Sequence, residues 1–250
     1  MKKITAIFVC VLMLAALSGC KAEAAMSAED FFSLCADGAP REVEAAIKAG
    51  ADVNAKGDYG DTPLMYAARY NNDPEVTNLL IKAGSDVNAR GENDSTALMQ
   101  AAWGNDNPEV LSVLIRAGAD VNVKGDVGWT PLMEAAWNNK NPEVLNALIQ
   151  AGADVNAKNI DGYTSLMRAA WINRNPEVLI VLIQAGADVN AKNNDGRTPL
   201  NYAVEKNDPQ IVSLLLASGA DVSEDDVRLA QENDKLKDTA VIEEMKSRVM

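Results

Sequence analysis

Asp225 with Asp226 and Glu243 with Glu244 are adjacent carboxylates, the residue type that could do acid–base chemistry in this chain. General acid–base work needs both groups within reach of one reacting atom, and sequence neighbours on a helix point in different directions. Both pairs are therefore expected to be solvated faces. Histidine is absent from all 250 residues, which removes the commonest metal ligand and every Ser-His or Cys-His nucleophile. The stretch "NNDG" (Asn193 to Gly196) offers oxygen ligands, but it lacks the alternating acids and distal glutamate of a calcium loop. It reads as a turn. The sequence contains no glycine-rich phosphate loop, so no metal and no cofactor are expected. A carboxylate-based enzyme is the remotest functional reading.

Charge narrows the partners. The chain has 23 basic and 36 acidic residues, a formal charge of -13, whereas nucleic-acid binding needs a basic face. A cationic partner is easier to accommodate. The first residues, "MKKITAIFVCVLMLAALSGC", place Lys2 and Lys3 before an apolar run from Ile4 to Leu17, the pattern of a secretory signal. Its end, Leu17-Ser18-Gly19-Cys20, resembles the lipobox of bacterial lipoproteins, which implies cleavage before Cys20 and lipidation there; the alternative is an ordinary cleaved signal and a free cysteine. With Cys10 removed and Cys20 lipidated, Cys35 is the one free thiol, expected to pack as a small apolar residue. Residues 21–26 would be a linker reaching about 20 Å, holding the folded part near the bilayer. Lys21 is not the aspartate that retains many such proteins in the inner membrane, so the outer membrane of a bacterial envelope is favoured.

After this leader, "AGADVN" and its variants recur, with Gly50, Gly84, Gly118, Gly152 and Gly186 each 34 residues apart and Gly219 following 33 later. Between them come "TPLMYAA", "TALMQAA", "TPLMEAA", "TSLMRAA" and "TPLNYAV", starting at Thr62, Thr96, Thr130, Thr164 and Thr198. A period of this size means a stacked array. The threonines suit helix N-caps, and the prolines that follow several of them suit the first helical position. A second helix begins at Asp73-Pro74, Asn107-Pro108, Asn141-Pro142, Asn175-Pro176 and Asp208-Pro209 and ends at the glycine. These residues resemble the ankyrin repeat family. The resemblance implies an all-α solenoid of stacked helix-turn-helix units with turn or hairpin connections. The chain then divides into a signal over 1–20, the linker over 21–26, an N-terminal capping repeat over 27–57, five full repeats over 58–223 and capping helices over 224–250.

Two departures from the family pattern stand out. The usual histidine of "TPLH" is Met65, Met99, Met133, Met167 or Asn201, so the hydrogen bonds it makes between neighbouring turns are expected to be lost in every repeat. One extra residue also lies between the paired helices in "AARYNNDPEV", "AAWGNDNPEV", "AAWNNKNPEV" and "AAWINRNPEV", but not in "AVEKNDPQIV".

The family resemblance implies recognition through turn tips and the exposed face of the first helix. That face would carry Tyr66, Arg69 and Tyr70, then Gln100 and Trp103, then Trp129, Glu134 and Trp137. Tyr163, Arg168 and Trp171 follow, then Arg197, Tyr202, Glu205 and Lys206. With Tyr59, every tryptophan and tyrosine falls there, leaving Leu, Val, Ile, Ala and Met for the interior. Helices about 8–10 Å apart would space Trp103, Trp137 and Trp171 too widely to stack, with slots open to apolar side chains. Each of these indoles either covers the extra residue of its own turn or meets a partner; Trp129, outside that turn, is expected to meet a partner. The expected protein is a monomer that binds a protein or peptide. The alternative is a structural or protective envelope component without a specific partner.

Overall fold

A threonine hydroxyl begins each middle unit. In a computed structural model describing residues 26–173, 175–206, 208–233, 235–236 and 239–249, the side chains of Thr62, Thr96, Thr130 and Thr164 accept from the backbone N–H three residues on. These caps start Pro63–Tyr70 (α3), Ala97–Gly104 (α5), Pro131–Asn138 (α7) and Ser165–Ile172 (α9). The second helices are Pro74–Lys82 (α4), Pro108–Arg116 (α6), Pro142–Gln150 (α8) and Pro176–Gln184 (α10). Asp73, Asn107, Asn141 and Asn175 cap them. The fifth unit is Pro199–Lys206 (α11) and Pro209–Ala217 (α12). Ala28–Asp37 (α1) and Pro40–Lys48 (α2) close one end; Glu224–Glu232 (α13) and Ala240–Val249 (α14) close the other. The glycines that end the second helices hold φ between 88° and 97°, a left-handed conformation costly for residues with a Cβ.

First helices pack on first helices along the array, and second helices form a parallel outer row. Leu64, Leu98, Leu132, Leu166 and Leu200 are fully enclosed, as are Val76, Val110, Val144 and Val178 in the second helices. Each buried aliphatic of this size contributes roughly 1.5–3 kcal/mol, and the neighbouring unit supplies much of the enclosure. Among the described residues the structure is all-helical, without strands, and no helix is long and apolar enough to cross a membrane. The leader, Cys20 and Lys21 lie outside the described residues.

Two ladders of asparagine join the units. Asn71, Asn105, Asn139 and Asn173 are buried just beyond the first helices. The amide of Asn105 donates to the carbonyls of Ala68 (2.9 Å) and Asn71 (3.0 Å) in the preceding unit, and its oxygen accepts from the Asn107 N–H. Asn139 and Asn173 repeat the pattern, and Asn71 carries it back to Cys35 and Gly38. Helix-end carbonyls without an intrahelical partner are thus satisfied by the next unit. The second ladder runs through exposed Asn54, Asn88, Asn122 and Asn156 and half-buried Asn190, each donating to the helix-ending glycine carbonyl of the next unit.

The extra residue belongs to the same scheme. The carbonyls of Asn72, Asp106 and Lys140 accept from the side-chain amides of Asn107, Asn141 and Asn175, the caps of the following second helices. Asn72, Asp106 and Lys140 are themselves exposed. Asp106 and Lys140 thus stay exposed beside Trp103 and Trp137, against the reading of those two indoles as turn covers; the corresponding residue after Trp171, Arg174, lies outside the described residues.

One end agrees with expectation and the other does not. Phe31, Phe32 and Leu34 face inward with Cys35, whose thiol is pushed up to about 12 by burial, so it packs without being nucleophilic. At the other end Asp226 is not a solvated acid. It is buried, it accepts from the backbone and hydroxyl of Ser223, and it accepts from the Asn201 amide. Asn201, standing where the family has histidine, thereby keeps one bond to the next helix. The other members of the two acidic pairs are exposed or partly exposed and tied to nearby cations: Asp225 to Arg228, Glu243 to Lys246 and Glu244 to Arg248.

Asn105→Ala leaves two buried carbonyls and one partly buried N–H without partners, and should cost about 2–4 kcal/mol in urea unfolding. Asn122→Ala, whose partners reach water, should cost less than half as much. Equal losses would remove the buried ladder from its structural role.

Candidate functional site

Each unit presents two positions eight residues apart on the same face, one ending the turn and one near the end of the first helix. Trp129 and Trp137 occupy them in the third unit with ring centroids 4.8 Å apart, and Tyr163 and Trp171 in the fourth, 6.2 Å apart. In the fifth they are Arg197 and Glu205, which form an ion pair. At the start of the array, Phe32 stacks on Tyr66 at 5.1 Å, and Tyr66 reaches Tyr70.

The slots between these layers are filled by arginine rather than left open to apolar guests. Arg69 lies 4.9 Å from the Tyr70 ring and 4.1 Å from that of Trp103, and it donates to the Gln100 side chain. Arg168 lies 4.1 Å from Tyr163, 4.3 Å from Trp129, 5.1 Å from Trp137 and 5.5 Å from Trp171. Arg197 covers Tyr202 at 4.2 Å. A guanidinium is planar and weakly hydrated, so it can lie on indole and phenol faces where an ammonium would give up more water. Burial pushes the Arg168 guanidinium below its ordinary range, opposed by Tyr163, Tyr202, Asp161 and Glu134.

Two residues expected on the open face are interior. Tyr202 is 1% exposed, packed on Trp171 and Tyr163, with its hydroxyl accepting from Asn193. Arg168 is 8% exposed. The reason is the stack itself, since each guanidinium or phenol is roofed by rings of adjacent units. Asn193 also accepts from the N–H groups of Asp195 and Arg197, so "NNDG" closes a turn with its own backbone. Among the described residues no group of acids and cysteines is arranged to hold a metal ion.

A family model described as ankyrin repeats (three copies) matches residues 31–125, 69–159 and 132–226. The chain belongs to the ankyrin repeat family. No curated protein matches it. Ankyrin repeats mark a module for protein–protein interaction, and on this ankyrin protein one opening stands out from the filled stack.

Between the second and third units a cleft of about 480 Å³ is lined by Arg69, Gln100, Trp103, Trp129, Glu134 and Trp137. Volumes of about 300–1,000 Å³ hold small ligands or side chains. The turns bordering it are unusual. Asn93, Asp94 and Val127 have φ of 53°, 59° and 51°, the positive values held by non-glycine residues among the described ones. For a β-branched residue such as Val127 this conformation costs on the order of 1–3 kcal/mol, and Val127 is exposed. Sequence reasoning passed over Val127 and both asparagine ladders. The recurrence of asparagine every 34 residues is the signal that marks the ladders.

Burial raises the Glu134 carboxyl from an ordinary 4.5 to about 7, against the opposing pull of Arg168 and Arg69. No cation among the described residues forms an ion pair with it. Between these two pH values the folded protein keeps a proton that the unfolded chain has released. Stability therefore falls as pH rises through that window, by on the order of 3 kcal/mol at most. Glu134→Gln has no such proton to lose. It should melt with the wild type near pH 4.5 and roughly 5–10 °C above it at pH 8; a difference that does not grow with pH would contradict the burial of this charge.

Proposed function

We propose that this ankyrin repeat protein is held by lipid on Cys20 in a bacterial envelope and captures another protein or peptide on the aromatic face around Trp103, Trp129 and Trp137. The observation that carries the capture reading is the cleft of about 480 Å³ walled by those three indoles and by Glu134. The indoles are partly exposed, and aromatic residues in such pockets dominate binding energy at interfaces. Tyr70 and Ile172 extend the exposed apolar surface along the face. Tyr66, Arg69, Tyr163 and Trp171, partly exposed themselves, brace it through the stack, as does Arg197 over Tyr202.

The anchoring reading rests on Lys2, Lys3, the apolar run and the Leu17-Ser18-Gly19-Cys20 ending. Several acyl chains, at roughly 0.8 kcal/mol per buried methylene, hold a protein to a bilayer without a spanning helix. Lys21 favours the outer membrane. The linker over 21–26, at about 20 Å, would keep the cleft near the membrane surface.

Photocrosslinking in intact cells from positions flanking the cleft tests capture. Trp103→Ala and Trp137→Ala should each reduce the crosslinked adduct about tenfold or more while melting within a few degrees of the wild type. Cys20→Ser should release the protein from the membrane fraction without altering its fold. An adduct that persists in both tryptophan variants would contradict capture at this cleft, and a wild type that yields no specific adduct would leave the solenoid a spacer, the structural alternative.

A further inference from the structure

The repeat makes the cleft comparable, position by position, with the filled slots beside it. Tyr66, Gln100, Glu134, Arg168 and Tyr202 are equivalent, spaced by 34 residues. At the fourth unit this position sends Arg168 between the rings of its own unit, Tyr163 and Trp171, and those of the preceding one, Trp129 and Trp137. At the third unit the same position is Glu134. It faces the corresponding walls, Trp103 before and Trp129 with Trp137 after, across open space. The slot has its aromatic walls and has a carboxylate where its neighbour has a guanidinium.

The charges around that space are complementary to a cation. Glu92, Asp126 and Glu134 line it against one lining guanidinium, Arg69; Arg69 already lies on Trp103 and on Tyr70 in its own unit, and Arg168, which also acts on Glu134, is held among the rings of its own slot. Three indoles and a carboxylate withdrawn from water suit a cation that stacks and pairs at once. An ammonium satisfies the charge but keeps its water more tightly, whereas a guanidinium does both and presents a planar fork to a carboxylate. The chain itself lays arginine on these walls, Arg69 on Trp103 and Arg168 on Trp129 and Trp137, and Arg168 does so from the position equivalent to Glu134.

We infer that the cleft between Trp103 and Trp137 receives the arginine side chain of a polypeptide partner, its guanidinium stacked among the indoles and paired with Glu134. This rests on the capture reading above and names what is captured. The guest supplies from outside the guanidinium that Arg168 supplies in the next unit.

The test uses N-acetyl-arginine N-methylamide as the probe, titrated at pH 8 into the full chain carrying 15N-labelled indoles. The ring N–H signals of Trp103, Trp129 and Trp137 should shift saturably while that of Trp171 stays in place. The citrulline analogue, planar but uncharged, should bind about tenfold more weakly or worse, and the lysine analogue should fall between them. Glu134→Gln, close in shape and checked for melting, should weaken the arginine probe about tenfold. No saturable shift, equal binding of citrulline, or unchanged binding to Glu134→Gln would each overturn the assignment. Cellular crosslinking separates it from the broader reading: an adduct lost in Trp103→Ala but retained in Glu134→Gln keeps capture and overturns arginine as its ligand. An adduct indifferent to both, with arginine binding intact, overturns cellular capture alone.

Discussion

The backbone carbonyls that end each first helix have no partner within their own unit, and the rest of the solenoid depends on the next unit supplying one. Asn105 and Asn139 do so from buried positions, each gripping two carbonyls behind it and one N–H ahead. A buried polar group left unpaired costs more than a formed bond contributes, so these asparagines fix the spacing and rotation between units more strictly than apolar packing does. Leucine, valine and alanine fill whatever register the ladder sets. The exposed ladder through Asn88 and Asn122 holds the opposite end of each unit, and the two together leave adjacent units little freedom to rotate. The aromatic face can then be regular, because its rings are carried on elements already in register.

That regularity makes one irregularity informative. Rings of two neighbouring units enclose the guanidinium of Arg168, and the equivalent position in the layer one unit earlier is Glu134, beside an open cleft. Around this layer Val127 holds a conformation that β-branched residues avoid, and Glu134 carries a carboxyl whose burial works against its charge. Strain and a desolvated acid in one place destabilise the free protein, and both are tolerated because the ladders on either side over-determine the fold. A cation entering the cleft would offset the cost at Glu134 directly.

Much of the fold was legible in the sequence. Threonine or asparagine before proline, a fixed period and a glycine after each second helix specify capped helix pairs through purely local chemistry. The aromatic positions were legible for the same reason, since the period places them on one face. Their environment was not. Whether Tyr202 is surface or interior depends on Trp171 and Tyr163 in the neighbouring unit, and the filling of the slots depends on Arg69 and Arg168 reaching across repeats. Those are contacts between residues about 30 positions apart, whose geometry a one-dimensional pattern does not carry. Asp226 was misread likewise: its partner Asn201 lies in another helix. The buried asparagines were missed because asparagine beside a turn is ordinary, and only its burial, a tertiary property, distinguishes Asn105 from its exposed neighbour Asp106.

The central claim is that the open layer at Glu134 is equivalent to the one that Arg168 fills in the next unit. Its most direct test is the melting temperature of Glu134→Arg compared with Glu134→Gln at pH 8, since both remove the partly buried acid and only one supplies a cation. If the slot is equivalent to that of Arg168, the arginine variant melts several degrees higher, because its guanidinium lies between Trp103 and Trp137 as Arg168 lies between Trp137 and Trp171; each kcal/mol corresponds to roughly 2–4 °C in a chain of this size. An arginine variant that melts below the glutamine variant would contradict the account.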